Sequence, residues 1–375
     1  MNVLLIGECY STNLGDGVIC KTVGKMIQDH YPDANITYFD ISGKTNYEDD
    51  FSGHSRSFFV KWFVRFTDYF PWLFTKSVFY NAYHNNEARY LHTMDHLHTI
   101  LTSQKIDFAI FAGGEMFMDY FAGLIYYTVR QLSHKRIPIL FHACGMEKLS
   151  ANSIKLLKKA FSCKSVVSLS LRDSFDQFCA VFGTPPTPIN TYDTALCCSE
   201  YFEQAPSKIA EYGLGVIAIP QFFDFQTQLI RAFLDSGVSF RVFTNGSPYD
   251  EFIAKKLLRD SGCSDEDIDS ILLPRPLTPD ALIKNVTSFK KIISFRMHSQ
   301  VIATAFGIES HGFIWDNKVK TFFEKIDRPH WCSSPDHFTL EQLLHHDSSA
   351  SNLNDQVKKM QQLCRNDLIR ELSQM

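Results

Sequence analysis

The chain has 375 residues, of which 45% are hydrophobic and 21% charged, and its formal net charge is -4. That apolar share excludes a disordered chain, and because single cores stop growing at roughly 250–300 residues the length predicts two domains. The near-balanced charge, with no long basic run, excludes nucleic acid as the expected partner.

The N-terminal MNVLLIGECY has no basic n-region and no small-residue cleavage site, so it reads as a first core strand and not as a signal peptide. Similar apolar runs follow at 35–40 (NITYFD), 107–114 (DFAIFAGG), 137–145 (IPILFHACG) and 165–173 (SVVSLSLRD). A second set lies at 214–220 (LGVIAIP), 239–246 (SFRVFTNG), 290–295 (KKIISF) and 308–315 (IESHGFIW). Continuous apolar strands alternating with helical patterns predict parallel sheets covered on both faces. The expected fold class is therefore α/β, with two Rossmann-like doubly wound domains facing a cleft. Polar, turn-prone residues around 199–212 divide residues 1–200 from 205–348, and 349–375 carry a polar amphipathic helix expected to pack back on the first domain. No window offers about 18 uncharged apolar residues, so no spanning helix is expected. Ten cysteines without a CxxC pair read as reduced thiols in a cytoplasmic protein, working at the inner face of the cell membrane if its substrate is lipid-linked.

In such folds ligands bind beyond the strand C-termini, so residues that follow strands are the candidates. After the first strand comes a loop with Asn13, Gly15, Asp16 and Gly17, where Asp16 is either a helix cap or a carboxylate facing the cleft. Residues 57–83 are dense in aromatics and read either as an interfacial surface meeting membrane or as core and dimer contact. His92, His96 and His98 have no HExxH around them, and a solvated helix face explains them better than a metal site, so no metal is expected. Gly113 and Gly114 permit close backbone approach, with Glu115 directly after them. His142 is either a satisfied core side chain or a site histidine. Arg172 either pairs locally with Asp173 or binds an anion. Cys197 and Cys198 read as packing.

The stretch KKIISFRMHSQVIATAFGIESHGFIWDNK, 290–318, is the most specific. Arg296 and His298 sit where a buried strand gives way to a helix N-terminus, whose free N–H groups and positive dipole end favour an anion. Arg296 offers a planar fork for carboxylate or phosphate, and His298 can carry a proton near neutral pH. No counter-charge for Arg296 lies adjacent in sequence. Asp316 and Lys318 follow the next strand and should line the same wall.

These segments together resemble the polysaccharide pyruvyl transferase family. STNLGDGVI is similar to its N-x-G-D-x-x-I opening, FAGGE to its glycine-rich GGG segment, and LSLRDS…TYDTAL to its R-D-x-x-S…D-x-A-L passage. SFRMHSQVIATAFGI…IWDNKVKTFFEKI resembles its S-x-R-L-H-x-x-x-x-A-x-x-x-G…D-x-K-x-x-x-F hallmark. Glu115 replaces the third glycine, Gly17 stands where the family often has an acidic residue, and Met297 replaces leucine.

The resemblance implies a glycosyltransferase-B-like fold and transfer of the carboxyethylidene unit of phosphoenolpyruvate onto two hydroxyls of one sugar, with phosphate released. The sugar would belong to a cell-surface polysaccharide or its precursor, lipid-linked or not. On this reading the first domain holds the sugar acceptor and the second the donor. Phosphoenolpyruvate, with its carboxylate and phosphate, would be gripped by Arg296, His298, Arg172 and Lys318. His298 would act as general acid with help from His142, and Asp16 or Glu115 as base. Asn13, Gly15, Asp16, Gly113, Gly114, Glu115 and Asp316 would line the acceptor side. Phosphoenolpyruvate is a co-substrate, so no cofactor and no metal is called for.

Two other readings stand beside it. A nucleotide-sugar glycosyltransferase of the same fold would use Arg296 and His298 on a diphosphate, although no E-x-x-x-x-x-x-E pattern occurs in the second domain. A catalytically dead carbohydrate-binding subunit would not need both Arg296 and His298.

Overall fold

The computed structural model describes residues 1–47, 87–337 and 353–375; the aromatic stretch 57–83 lies outside the described residues. Strand β1 (Asn2–Gly7) pairs with β2 (Asn35–Asp40) on one side and β3 (Phe108–Ala112) on the other. Beyond β3 follow β4 (Ile139–Cys144), β5 (Val166–Leu171) and the short β6 (Ile189–Asn190), and every pairing is parallel. β3 and β4 are buried at every position, as strands covered on both faces must be.

The second sheet has the order β11-β10-β9-β7-β8, again all parallel, from β7 (Ala210–Gly215), β8 (Phe240–Phe243), β9 (Phe289–Ser294), β10 (Glu309–Phe313) and β11 (Cys332–Ser333). Here the expected strand 214–220 begins and ends earlier. The Gln226 side chain both donates to and accepts from the backbone of Ile217, at 2.9 Å each way, so this segment leaves the ladder without losing its hydrogen bonds.

Both sheets reverse their winding direction once, between β1 and β3 in the first and between β7 and β9 in the second. The loops at these reversals diverge and leave a crevice beyond the strand ends. Helix α1 (Leu14–His30) starts at one crevice and the helix Met297–Ala305 at the other.

A single apolar cluster runs from β1 and α1 through the 3-10 helix Thr194–Glu200 to Val301, Ile302 and Phe323 of the second domain. The two crevices are therefore held together by shared core and not by a linker alone. The C-terminal helix Leu353–Leu372 buries Leu353, Val357, Met360, Cys364, Leu368 and Leu372, three to four residues apart. Its polar groups on that face reach the first domain: Gln361 donates to the Leu196 carbonyl at 2.8 Å and to the Ser199 hydroxyl at 3.0 Å, and Arg365 pairs with Glu200. Among the described residues no helix is long and apolar enough to cross a membrane.

Candidate active site

β9 is followed by the buried Phe295, and Arg296 is the extended N-cap of the next helix. Its guanidinium donates through Nη2 to Asp250 Oδ2 at 2.6 Å. Asp250 is 1% exposed and also accepts from the Ala218 backbone N–H at 3.0 Å. The counter-charge missing from the local sequence thus comes from the start of the helix Pro248–Asp260.

His298 is the second residue of that helix and is 8% exposed. Its Nε2 is 3.5 Å from Arg172 Nη1 and 3.7 Å from Asp193 Oδ2. Burial lowers its pKa below the ordinary 6.5, and Arg172 and Lys318 add to the effect against the pull of Asp16 and Asp193.

Arg172 follows β5 and is 4% exposed. Its Nη1 meets Asp193 Oδ2 at 2.5 Å, its Nε meets Asp173 Oδ2 at 3.2 Å, and its Nη2 lies 3.8 Å from Glu115 Oε2. Burial opposes its charge, but this carboxylate cluster outweighs the burial and holds the guanidinium firmly protonated. Lys318, from the second domain, reaches Glu115 Oε2 of the first at 3.2 Å and Asp316 Oδ2 at 3.2 Å. Burial pulls its pKa down, and the two carboxylates more than reverse this.

These groups surround one cavity of about 170 Å³ between the crevices. Asn13, Asp16, Glu115 and Arg172 line it from the first domain, and Arg296, Met297, His298 and Lys318 from the second. Asp16 is not the cap of α1; that position is Asn13, whose Nδ2 donates to Asp16 Oδ2 at 3.0 Å, leaving the carboxylate on the cavity wall. Gly113 and Gly114 hold φ of 47° and 76°, the left-handed region that favours glycine, and carry the chain past Ile19 and the Asp16 carboxylate. They and Gly15 shape the wall without lining the cavity. Asp316 caps the helix Asn317–Lys325, accepting from the Lys318 N–H, and acts on the site through the Lys318 ammonium.

His142 is a correction. It is fully buried beneath the cleft, with Nδ1 2.9 Å from Glu371 Oε2 and Nε2 3.0 Å from Thr194 Oγ1, so it touches no cavity atom. Glu371 comes from the C-terminal helix, a partner that the strand pattern around His142 gives no hint of. His96 packs its ring on Phe39 at 5.6 Å, and among the described residues no cluster of His, Cys, Asp and Glu has the arrangement to hold a metal ion.

The sequence reading missed Glu8, Met118, Glu147, Asn245 and Trp315, all on the cavity wall. Glu8 directly follows β1, and Asn245 and Trp315 come two residues past β8 and β10, the same positional rule that found Arg296, and their residue types alone hid them. Glu147 is brought in by the bridge between Phe117 and Met146; burial and the nearby Glu115 raise its pKa.

The model of the polysaccharide pyruvyl transferase family matches residues 13–317. The chain belongs to this family. The match contains Asp16, Glu115, Arg172, Arg296 and His298, while Glu8 and Lys318 of the cavity wall lie outside it. No curated protein sequence is similar enough to match. Among solved structures, a putative UDP-N-acetylglucosamine 2-epimerase from Listeria monocytogenes superposes with a TM-score of 0.57 at 9% identity, covering 98% of this chain and 94% of that one. The UDP-N-acetylglucosamine 2-epimerase of Neisseria meningitidis, bound to UDP-N-acetylglucosamine, gives 0.52 at 10% identity with all of each chain covered. S. aureus MnaA with UDP gives 0.53 at 10% identity, over 97% and 90%. At such identity the likeness is one of fold: this pyruvyl transferase family member has the two-domain glycosyltransferase-B-like architecture.

Proposed function

We propose that this protein moves the carboxyethylidene group of phosphoenolpyruvate onto two hydroxyls of one sugar in a cell-surface polysaccharide or its precursor. The observation that carries the reading is the convergence of Arg172, Arg296, Lys318 and His298 on one cavity at a helix N-terminus. A donor with a carboxylate and a phosphate asks for that many cationic and N–H groups in a small space.

In the reaction one proton is added to the methylene carbon of the donor, which becomes a methyl group, and positive charge develops at C2. Two sugar oxygens then bond to C2 in turn, each losing its proton, while the C2–O bond to phosphate breaks and phosphate leaves with the electron pair. His298 is suited to the first proton. Burial keeps it neutral in the empty site, and a bound phosphate dianion favours its imidazolium, so it charges when the donor arrives. Asp16 is better placed than Glu115 to take the hydroxyl protons. Glu115 is engaged by the Lys318 ammonium, whereas among the described residues no ion pair engages Asp16, whose carboxylate accepts from the neutral Asn13 amide. The wall residues Asp16 and Glu115 then face the acceptor, and the second domain faces the donor.

The test is phosphate release from phosphoenolpyruvate by the purified protein with a panel of lipid- and aryl-linked hexosides, beside His298→Ala and Arg296→Ala. Sugar-dependent release that both substitutions abolish supports the reading. Absence of release with every acceptor, together with thermal stabilisation by UDP-sugars alone, overturns it in favour of a nucleotide-sugar transferase.

A further inference from the structure

Asn245 plays no part in the scheme above. It follows β8 and is 1% exposed, on the second-domain wall of the cavity. Its backbone carbonyl accepts from the Leu14 N–H at the start of α1 at 3.0 Å. The next residue, Gly246, has φ of 107° and presses so closely on the first domain that a β-carbon there would stand 2.7 Å from the Thr12 carbonyl oxygen. Its main chain is therefore fixed from two sides.

The side chain is fixed at one end only. Oδ1 accepts from the Ser299 hydroxyl at 2.7 Å, while Nδ2 is buried and has no hydrogen-bond partner among the described residues. A second donor, Nε of the wall residue Arg296, is likewise buried without a partner among the described residues. A buried donor with nothing to donate to is unfavourable, and two of them on residues that line one cavity call for a ligand rich in acceptors. Ser299 is the third residue of the helix Met297–Ala305, so the amide stands beside that helix's N-terminal N–H groups.

We propose that Asn245, oriented by Ser299, is a recognition residue whose NH2 donates to the phosphate of the enol phosphate donor. This inference rests on the pyruvyl transfer reading and adds a neutral contact to the cationic ones. The phosphate presents several acceptor oxygens and no obligatory donor, so the helix N-terminus, Arg296 Nε and Asn245 Nδ2 engage it together. Ser299 decides which end of the amide faces the cavity, because its hydroxyl hydrogen is directed at Oδ1.

The experiment compares wild type with Asn245→Asp and Ser299→Ala. The readouts are the KM for phosphoenolpyruvate, the KM for the sugar, and the Kd of inorganic phosphate by calorimetry, with melting temperatures recorded. Replacing the donor by a carboxylate of the same shape is expected to raise the phosphoenolpyruvate KM and the phosphate Kd about 10- to 100-fold, the range for a hydrogen bond to a charged group, with the sugar KM unchanged. Ser299→Ala, which keeps the amide but releases its orientation, raises the same two constants by less. Phosphate and phosphoenolpyruvate constants equal to wild type in Asn245→Asp overturn the inference while pyruvyl transfer stands. Should that variant not fold, unchanged constants in Ser299→Ala overturn it. A wild-type protein that turns over no phosphoenolpyruvate and binds no phosphate brings down the transfer reading and this inference together.

Discussion

The α-carbon of Gly15, in the first domain, lies against the ring of His298 in the second, so that a β-carbon on Gly15 would stand 2.2 Å from Nδ1. The glycine is required by this approach between two helix starts, with no left-handed turn involved. Gly15→Ala must move the imidazole or part the domains, and overpacking of this kind costs about 1–3 kcal/mol. A displacement of about 1 Å at a catalytic group lowers turnover about 100-fold. We expect that loss in kcat for phosphate release, with a smaller fall in melting temperature than a core substitution gives. Near-wild-type kcat would show that the contact does not position His298.

Asp250 is expected to matter as much as the arginine it holds. Its Oδ1 serves the Ala218 N–H and its Oδ2 the Arg296 guanidinium. Asp250→Ala leaves the half-buried Ala218 N–H without its acceptor and releases Arg296, so stability should fall by about 1–3 kcal/mol in urea unfolding. The KM for phosphoenolpyruvate should rise at least 10-fold, a shift that a purely structural aspartate would not produce.

His142 predicts a slope of stability with pH. Burial alone would lower its pKa, but the Glu371 carboxylate at 2.9 Å overrides this and carries the pKa up to about 10. A histidine raised in the folded state stabilises fully below its unfolded value near 6.5, and that contribution is lost as pH rises toward 10. The melting temperature of wild type should therefore decline between pH 6.5 and 10. Glu371→Gln should lower stability at pH 6 by about 3–5 kcal/mol, as expected when one partner of a buried pair is removed, and should flatten the slope. An unchanged slope in that variant would discount the pair.

Lys318 and Glu115 form an ion pair between the domains at 3.2 Å. Lys318→Met removes a cation from the cavity and leaves Glu115 facing Arg172 alone. The KM for phosphoenolpyruvate should increase, and an added monovalent salt should weaken donor binding less in the variant than in wild type. Equal salt dependence of the two would indicate that Lys318 holds the domains together without touching the donor.

Donor binding should take up protons near neutral pH, since burial keeps His298 neutral in the empty cavity and a phosphate dianion reverses the preference. Calorimetry of phosphoenolpyruvate binding at pH 7 in buffers of different ionisation enthalpy measures the uptake directly. His298→Asn should abolish it. Uptake of the same size in that variant would place the proton on another group.

Most of the strands and much of the cavity wall were legible in the sequence, because both follow from local rules. The expected strand 214–220, however, lies at Ala210–Gly215, and the short β6 and β11 were not foreseen. β3 and β4 are unbroken apolar runs, and Arg296, Arg172, Glu115 and Lys318 come just after strands. What only the tertiary structure decided was which groups meet across long separations. Asp250 answers Arg296 from another helix, Glu371 takes His142 out of the site from the far end of the chain, and Asn245 gains its place from contacts with Leu14 and Ser299. A buried polar side chain has the same identity in sequence whether its hydrogen-bonding capacity is filled or open, and packing alone sets which of the two it is.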